Sequence, residues 1–178
     1  MNISSFDDLL RAAREQSEPQ RLLFVFADAV LPDDSTPEQR ARFEAGHGGA
    51  LSPLMSVDKT PDELGTFAAL VEESRGFGHD WAVVFVASLP GRDGRAPTGD
   101  EADRALQRMI ESIKTGLFGT FIPFDRQGQP LACPVSPSTR RGKPEARATC
   151  RIKKHTSSTV MIPRSGRPMV PVIALPPT

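Results

Sequence analysis

The 178-residue sequence contains two cysteines, one tryptophan and no tyrosine. Two cysteines are too few for a disulfide scaffold, and their scarcity points to a reducing, cytoplasmic setting. No stretch approaches the roughly 18 consecutive apolar residues of a membrane span, so no membrane partner is expected. Met1 to Arg14 carries Asp7 and Asp8 and has no apolar run behind a basic start, so a secretory signal is not expected either. Phosphate-binding signatures are missing too: there is no GxxxxGK(S/T) loop and no GxGxxG after a strand. No GxSxG elbow occurs, and residues 1–131 hold no cysteine, which removes the usual nucleophiles. His47, His79 and His155 are scattered, and Cys133 and Cys150 stand apart with no CxxC pair. No catalytic residue, metal ligand or cofactor is therefore assigned.

The chain does have a sharp step in composition. The formal net charge of zero conceals 13 basic against 21 acidic residues over 1–131, a balance of −8. Residues 132–178 hold nine basic residues and only Glu145 as an acid, a balance of +8. All ten Phe and Trp81 precede residue 132, whereas eight of the 17 prolines follow it. A step of this kind marks a domain boundary near Leu131. The segment 132–178 is too poor in large apolar side chains to offset the entropy of ordering it. It is expected to be a disordered basic tail, or not native to the acidic domain. Its clusters Arg140-Arg141 and Lys153-Lys154 allow weak, salt-dependent contact with nucleic acid, with no aromatic to stack on a base.

Within 1–131 the periodicity alternates. Ser5 is an N-cap with Asp8 three residues on, and Phe6, Leu9, Leu10 and Ala13 form one helical stripe. Arg21 to Ala27 is an apolar run of strand length that predicts cover on both faces. Thr36-Pro37 opens a polar helix to about Ala45, where Gly46-His47-Gly48-Gly49 stops it. Ala50 to Val57 reads as a strand, and Pro53 argues for an edge position. Thr60-Pro61 caps a helix carrying Leu64, Phe67, Ala68 and Val71. Trp81 to Ala87 is a third strand, and the Pro90–Pro97 loop reads as exposed and flexible. A helix from about Asp100 to Lys114 presents Ala102, Leu106, Met109, Ile110 and Ile113 on one face. Phe118 to Phe124 is the last strand, followed by an Asp125-Arg126 turn.

This order predicts an α/β domain: a compact mixed sheet of four to five strands with packed helices, followed by the tail. The 37–45 helix has Phe43 as its one large apolar residue. It therefore suits a surface excursion between antiparallel strands as well as a crossover.

One constellation stands out. Asp28, Asp58 and Asp125 each lie near the C-terminal end of a strand, with Lys59 and Arg126 beside two of them. Parallel strands would bring these five residues to one edge, where open α/β sheets bind ligands and carboxylates hold a hard cation. The competing reading places Asp58 and Asp125 in turns.

The run SSFDDLLRAAREQSEPQRLLFVFADAVLPDDSTPEQRARFEAGHGGALSPLMSVDKTPDEL, with DWAVVFVASL and FIPFDRQGQPL, resembles short proteobacterial proteins that carry the name ribonucleotide reductase subunit alpha. The resemblance covers residues 1–131, and members of that family tend to stop soon after the FDRQG turn. The name implies nucleotide reduction, which runs on a thiyl cysteine and a redox cysteine pair inside a ten-stranded barrel. With no cysteine before residue 132, no residue of that site is carried over. GGALSPLMSVDKTPDEL is also similar to a stretch of SseB-like domains, where a strand leads into a capped helix. The expected function is a small cytoplasmic interaction or regulatory domain without catalysis, with a protein partner. The alternative is a small-molecule or metal-binding domain using the strand ends.

Overall fold

The computed structural model describes residues 3–45 and 49–131, together with the backbone of Val170 and Pro171. Helix α1 (Phe6–Arg14) begins at Ser5, whose side chain accepts the Asp8 backbone N–H. Its stripe of Phe6, Leu9, Leu10 and Ala13 is buried, as the spacing predicts. Strand β1 (Gln20–Val30) follows and runs through the middle of the sheet. From Phe24 to Ala27 it has no exposure at all, because helices cover both of its faces.

Helix α2 (Pro37–Glu44) buries no residue, and it connects β1 to its antiparallel neighbour β2 (Ala50–Lys59). A helix without an apolar stripe has nothing to pack on a sheet face, so the chain returns beside β1 instead of crossing over. Helix α3 (Phe67–Arg75) then carries the chain across β1 to β3 (Val83–Pro90) on its other side. Helix α4 (Gly99–Lys114) leads to β4 (Ile122–Phe124), next to β3. The two residues of β5 (Val170–Pro171) complete the order β4-β3-β1-β2-β5.

The α/β class, the strand count and the packed helices agree with the sequence reading. Where the sequence allowed a mixed sheet, all four pairings are antiparallel. The remaining residues of 132–178, on which the tail expectation falls, lie outside the described residues, as do Gly46, His47 and Gly48.

Two cores sandwich the sheet. On one face Phe6, Leu9 and Leu10 of α1 and Leu70 and Val71 of α3 pack on Phe24, Phe26, Met55 and Phe124. Phe6 is the hub, with ring centroids 4.8 Å from Phe67 and 5.7 Å from Phe124. On the other face Leu106, Met109, Ile110 and Ile113 of α4 cover Leu23, Val25, Val83 and Phe85. All five residues expected on the inner face of α4 are buried.

Four local readings change. Helix α3 is capped by Thr66 and not by Thr60. Thr60 and Glu63 do exchange capping bonds, Glu63 Oε2 accepting the Thr60 N–H at 2.8 Å, but Gly65 interrupts the turn. The helix therefore restarts and buries Phe67, Leu70, Val71 and Ser74, leaving Ala68 exposed. Trp81 precedes β3 instead of opening it. Its ring meets Phe26 edge-on at 5.0 Å, and its indole N–H donates to the fully buried Ser74 hydroxyl at 2.8 Å. Phe118 stands ahead of β4 and packs on Phe85. Finally, the Pro90–Pro97 loop is a built turn, described below.

Candidate functional site

The five strand-end residues do not form one site. Because β2 is antiparallel to β1, Asp58 pairs with Leu23, five residues from Asp28 along β1, which is about 17 Å of strand. Asp28 lies half-buried opposite Ser52. Asp125 follows β4 at the same end of the sheet as Asp28, but β3 separates their strands. The expected convergence required parallel strands, and the antiparallel return of β2 removes it.

Each of four of these residues has a structural partner instead. Asp58 is 8% exposed, and its Oδ2 lies 2.7 Å from Arg21 Nε, a close ion contact without linear hydrogen-bond alignment. Arg21 Nη1 donates to the Pro97 carbonyl at 3.1 Å, so this pair ties β1 and β2 to the entrance of α4. Lys59, on the opposite face, is 6% exposed and bonds both carboxylate oxygens of Glu73 on α3, at 2.9 and 3.2 Å. Asp125 Oδ1 accepts the N–H groups of Gln127 and Gln129, both at 2.9 Å, as the turn reading requires. Arg126 donates to the Trp81 carbonyl at 2.6 Å and to Asp80 at 2.9 Å, with its guanidinium 5.4 Å over the Trp81 ring. These are fixtures of the fold. Among the described residues no group of three or more His, Cys, Asp or Glu is placed to hold a metal ion, and no helix is long and apolar enough to cross a membrane.

A different concavity is present, a cleft of about 630 Å³ between the 90s loop and α4. The loop forms a two-residue turn, Arg92-Asp93-Gly94-Arg95, with Asp93 at φ 53° and Gly94 at φ 72°. Positive φ at both central positions is the type I′ geometry for which Asp-Gly is suited. Arg92 and Arg95 exchange backbone bonds at 3.0 and 2.9 Å. The turn is anchored to the chain before β1: Gly91 donates to the Pro19 carbonyl, and Gly94 donates to Glu18 Oε2, each at 2.8 Å. Gly91 is obligatory because a Cβ there would lie 2.1 Å from the Arg95 carbonyl oxygen. The loop is exposed, as its composition predicts, but these bonds hold it.

Four arginines line the cleft: Arg92 and Arg95 from the turn, Arg104 and Arg108 from α4. Two acids accompany them, Asp93 and Glu101. Glu101 is already engaged, since its Oε2 accepts the Thr98 backbone N–H at 2.8 Å and the Thr98 hydroxyl at 3.0 Å. Those bonds, the backbone one first, with the nearby Arg92 and Arg104, hold the Glu101 carboxyl below its ordinary value. Among the described residues none of the four arginines has an ion pair, and Arg104 donates from Nε to the Asp100 carbonyl. The sequence signals were the Arg-Asp-Gly-Arg turn and the i, i+4 spacing of Arg104 and Arg108. Each is unremarkable until the fold sets them side by side.

Compared with known protein families, with curated proteins and with solved structures, the chain finds no match.

Proposed function

We propose that this protein is a small cytoplasmic interaction domain without catalysis, which takes up an extended basic segment of a protein along the outer edge of β2. The observation that carries the reading is β5. The backbone of Val170 and Pro171 pairs antiparallel with Met55 and Ser56, which is strand addition to a sheet edge. The same edge has no described strand beside Ala50 to Leu54, whereas Leu131 folds back to donate to the Pro123 carbonyl at 2.8 Å and covers β4. Proline is tolerated on an added edge strand, where the position of its missing N–H can face away from the ladder. Charge favours a basic occupant, since residues 1–131 carry −8 and the stretch that supplies β5 carries +8. A partner segment of the same character competes with this internal one.

A synthetic peptide of residues 164–175, titrated into the full chain and into a Val170→Pro variant, tests this. The variant loses a backbone donor in its own segment, so the peptide should bind it several-fold more tightly, and binding to both should weaken as salt rises. Absence of peptide binding to both chains would overturn the reading.

A further inference from the structure

The arginine cleft has a chemistry independent of the β2 edge. Arg104 and Arg108 stand four residues apart on one face of α4, a spacing at which like charges repel. Arg92 and Arg95 face each other across the turn, where a like-charged pair is again unfavourable. Three other exposed helical cations form ion pairs with an acid three residues away, Arg11 with Asp8, Arg75 with Glu72 and Lys114 with Glu111, whereas Arg104 and Arg108 form none among the described residues. Two like-charge pairs from different elements therefore meet in one concavity, on a domain that is otherwise acidic. The turn bringing two of them is fixed by three backbone–backbone bonds, by the Gly94 N–H bond to the Glu18 carboxylate and by a glycine that tolerates no side chain.

We infer that this cleft is a binding site for a phosphate chain, of the pyrophosphate or tripolyphosphate class, free or as part of a larger molecule. Each guanidinium presents five N–H donors in a planar fork that matches phosphate oxygens two at a time. A single carboxylate or phosphate satisfies one or two such forks. Several linked phosphates offer enough charged oxygens for all four, and the cleft volume lies within the range for small ligands. At the α4 N-terminus the capping box already engages the Thr98 and Glu101 N–H groups, so the arginines are the main donors of the cleft. No aromatic residue lines the cleft, so a nucleoside attached to the chain gains no stacking surface.

Calorimetric titration of the full chain with inorganic tripolyphosphate, pyrophosphate, citrate and ATP decides the matter. Tripolyphosphate should bind at millimolar concentration or below, more tightly than pyrophosphate, with ATP no tighter than tripolyphosphate and citrate at least about tenfold weaker. The double variant Arg104→Ala with Arg108→Ala should lose at least about tenfold in affinity. A second variant, with Arg140, Arg141, Lys153 and Lys154 changed to Ala, should retain the affinity within about twofold, because the four cleft arginines supply the binding forks. Equal binding of citrate overturns the phosphate assignment, and ATP binding more than tenfold tighter overturns the restriction to the phosphate chain. Loss of binding only in the Arg140 variant, or no binding at all, overturns the site.

Discussion

Arg21 and Arg108 are both arginines near α4, and their surroundings could hardly differ more. Arg21 is drawn under the entrance of the helix, where Asp58 sits 2.7 Å from Nε and the Pro97 carbonyl takes Nη1. Arg108 stands exposed on the outer face of the same helix, among three other arginines and without an ion pair among the described residues. Buried charge has to be matched, because an unpaired ion in a low-dielectric interior is costly. Exposed charge stays in water, where its arrangement is free to serve a ligand. The fold thus keeps two populations of arginine, one that belongs to its architecture and one that it carries on the surface.

The contrast is broken most forcefully at Asp58. Asp58→Ala strands Arg21 and should cost about 3 kcal/mol or more, read as a lowered midpoint in urea unfolding. Replacing both members, Arg21→Met with Asp58→Leu, should restore most of that loss, and a double variant as weak as the single one would contradict the pairing. Ser74→Ala comes next. It leaves the buried Trp81 N–H without its acceptor and should destabilise by about 1–3 kcal/mol, with a changed Trp81 fluorescence as a second readout. Thr98→Ala removes the α4 cap and should cost about 1 kcal/mol in the same unfolding assay. At the far end of the scale, Arg108→Ala should leave stability within about 0.5 kcal/mol of the parent, or raise it, since it relieves repulsion and introduces a better helix former. A large loss there would place Arg108 in the architecture after all.

Acid sharpens the comparison by direction. Asp8, held chiefly by the Ser4 hydroxyl, and Glu63 and Glu101, held chiefly by the backbone N–H groups of Thr60 and Thr98, have carboxyls below their ordinary values. A carboxyl lowered on folding contributes stability above its unfolded pKa and loses it as pH falls through the folded value. Thermal stability should therefore be level above about pH 5 and decline below about pH 4, the ordinary carboxylate range. A melting temperature that rose on acidification would be inconsistent with these caps.

What was legible in the sequence follows from where the physics is local. Stripes such as Phe6, Leu9, Leu10 and Ala13, and the inner face of α4, are set by helical period, and they bury as read. The unbroken apolar run of β1 announced cover on both faces, and the bare surface of α2 allowed an antiparallel return. Thr60 misled because its capping bonds do form, and only the competition between Gly65 and the burial of Leu64 and Phe67 moves the helix start to Thr66. The strand-end acids misled for a different reason. Their grouping depended on strand direction, a long-range property that no local pattern encodes. The arginine cleft stayed hidden on the same account, since Arg92 and Arg104 become neighbours only when the turn is tied back to Pro19 and Glu18.

The irregularity in β2 has a mechanical consequence. Phe26 pairs with Met55 and Ala27 with Pro53, so Leu54 is an extra residue and the ladder is out of step at that point. A bulge bends its strand and breaks the regular spacing of the ladder, and the proline beside it has no N–H to give to a neighbour. Any strand arriving along that edge therefore meets a stop after a few residues. The edge can take a short guest beside Met55 and Ser56, yet it cannot template an indefinite stack of copies. A single kink acts both as a ruler for what docks and as a brake on fibre growth.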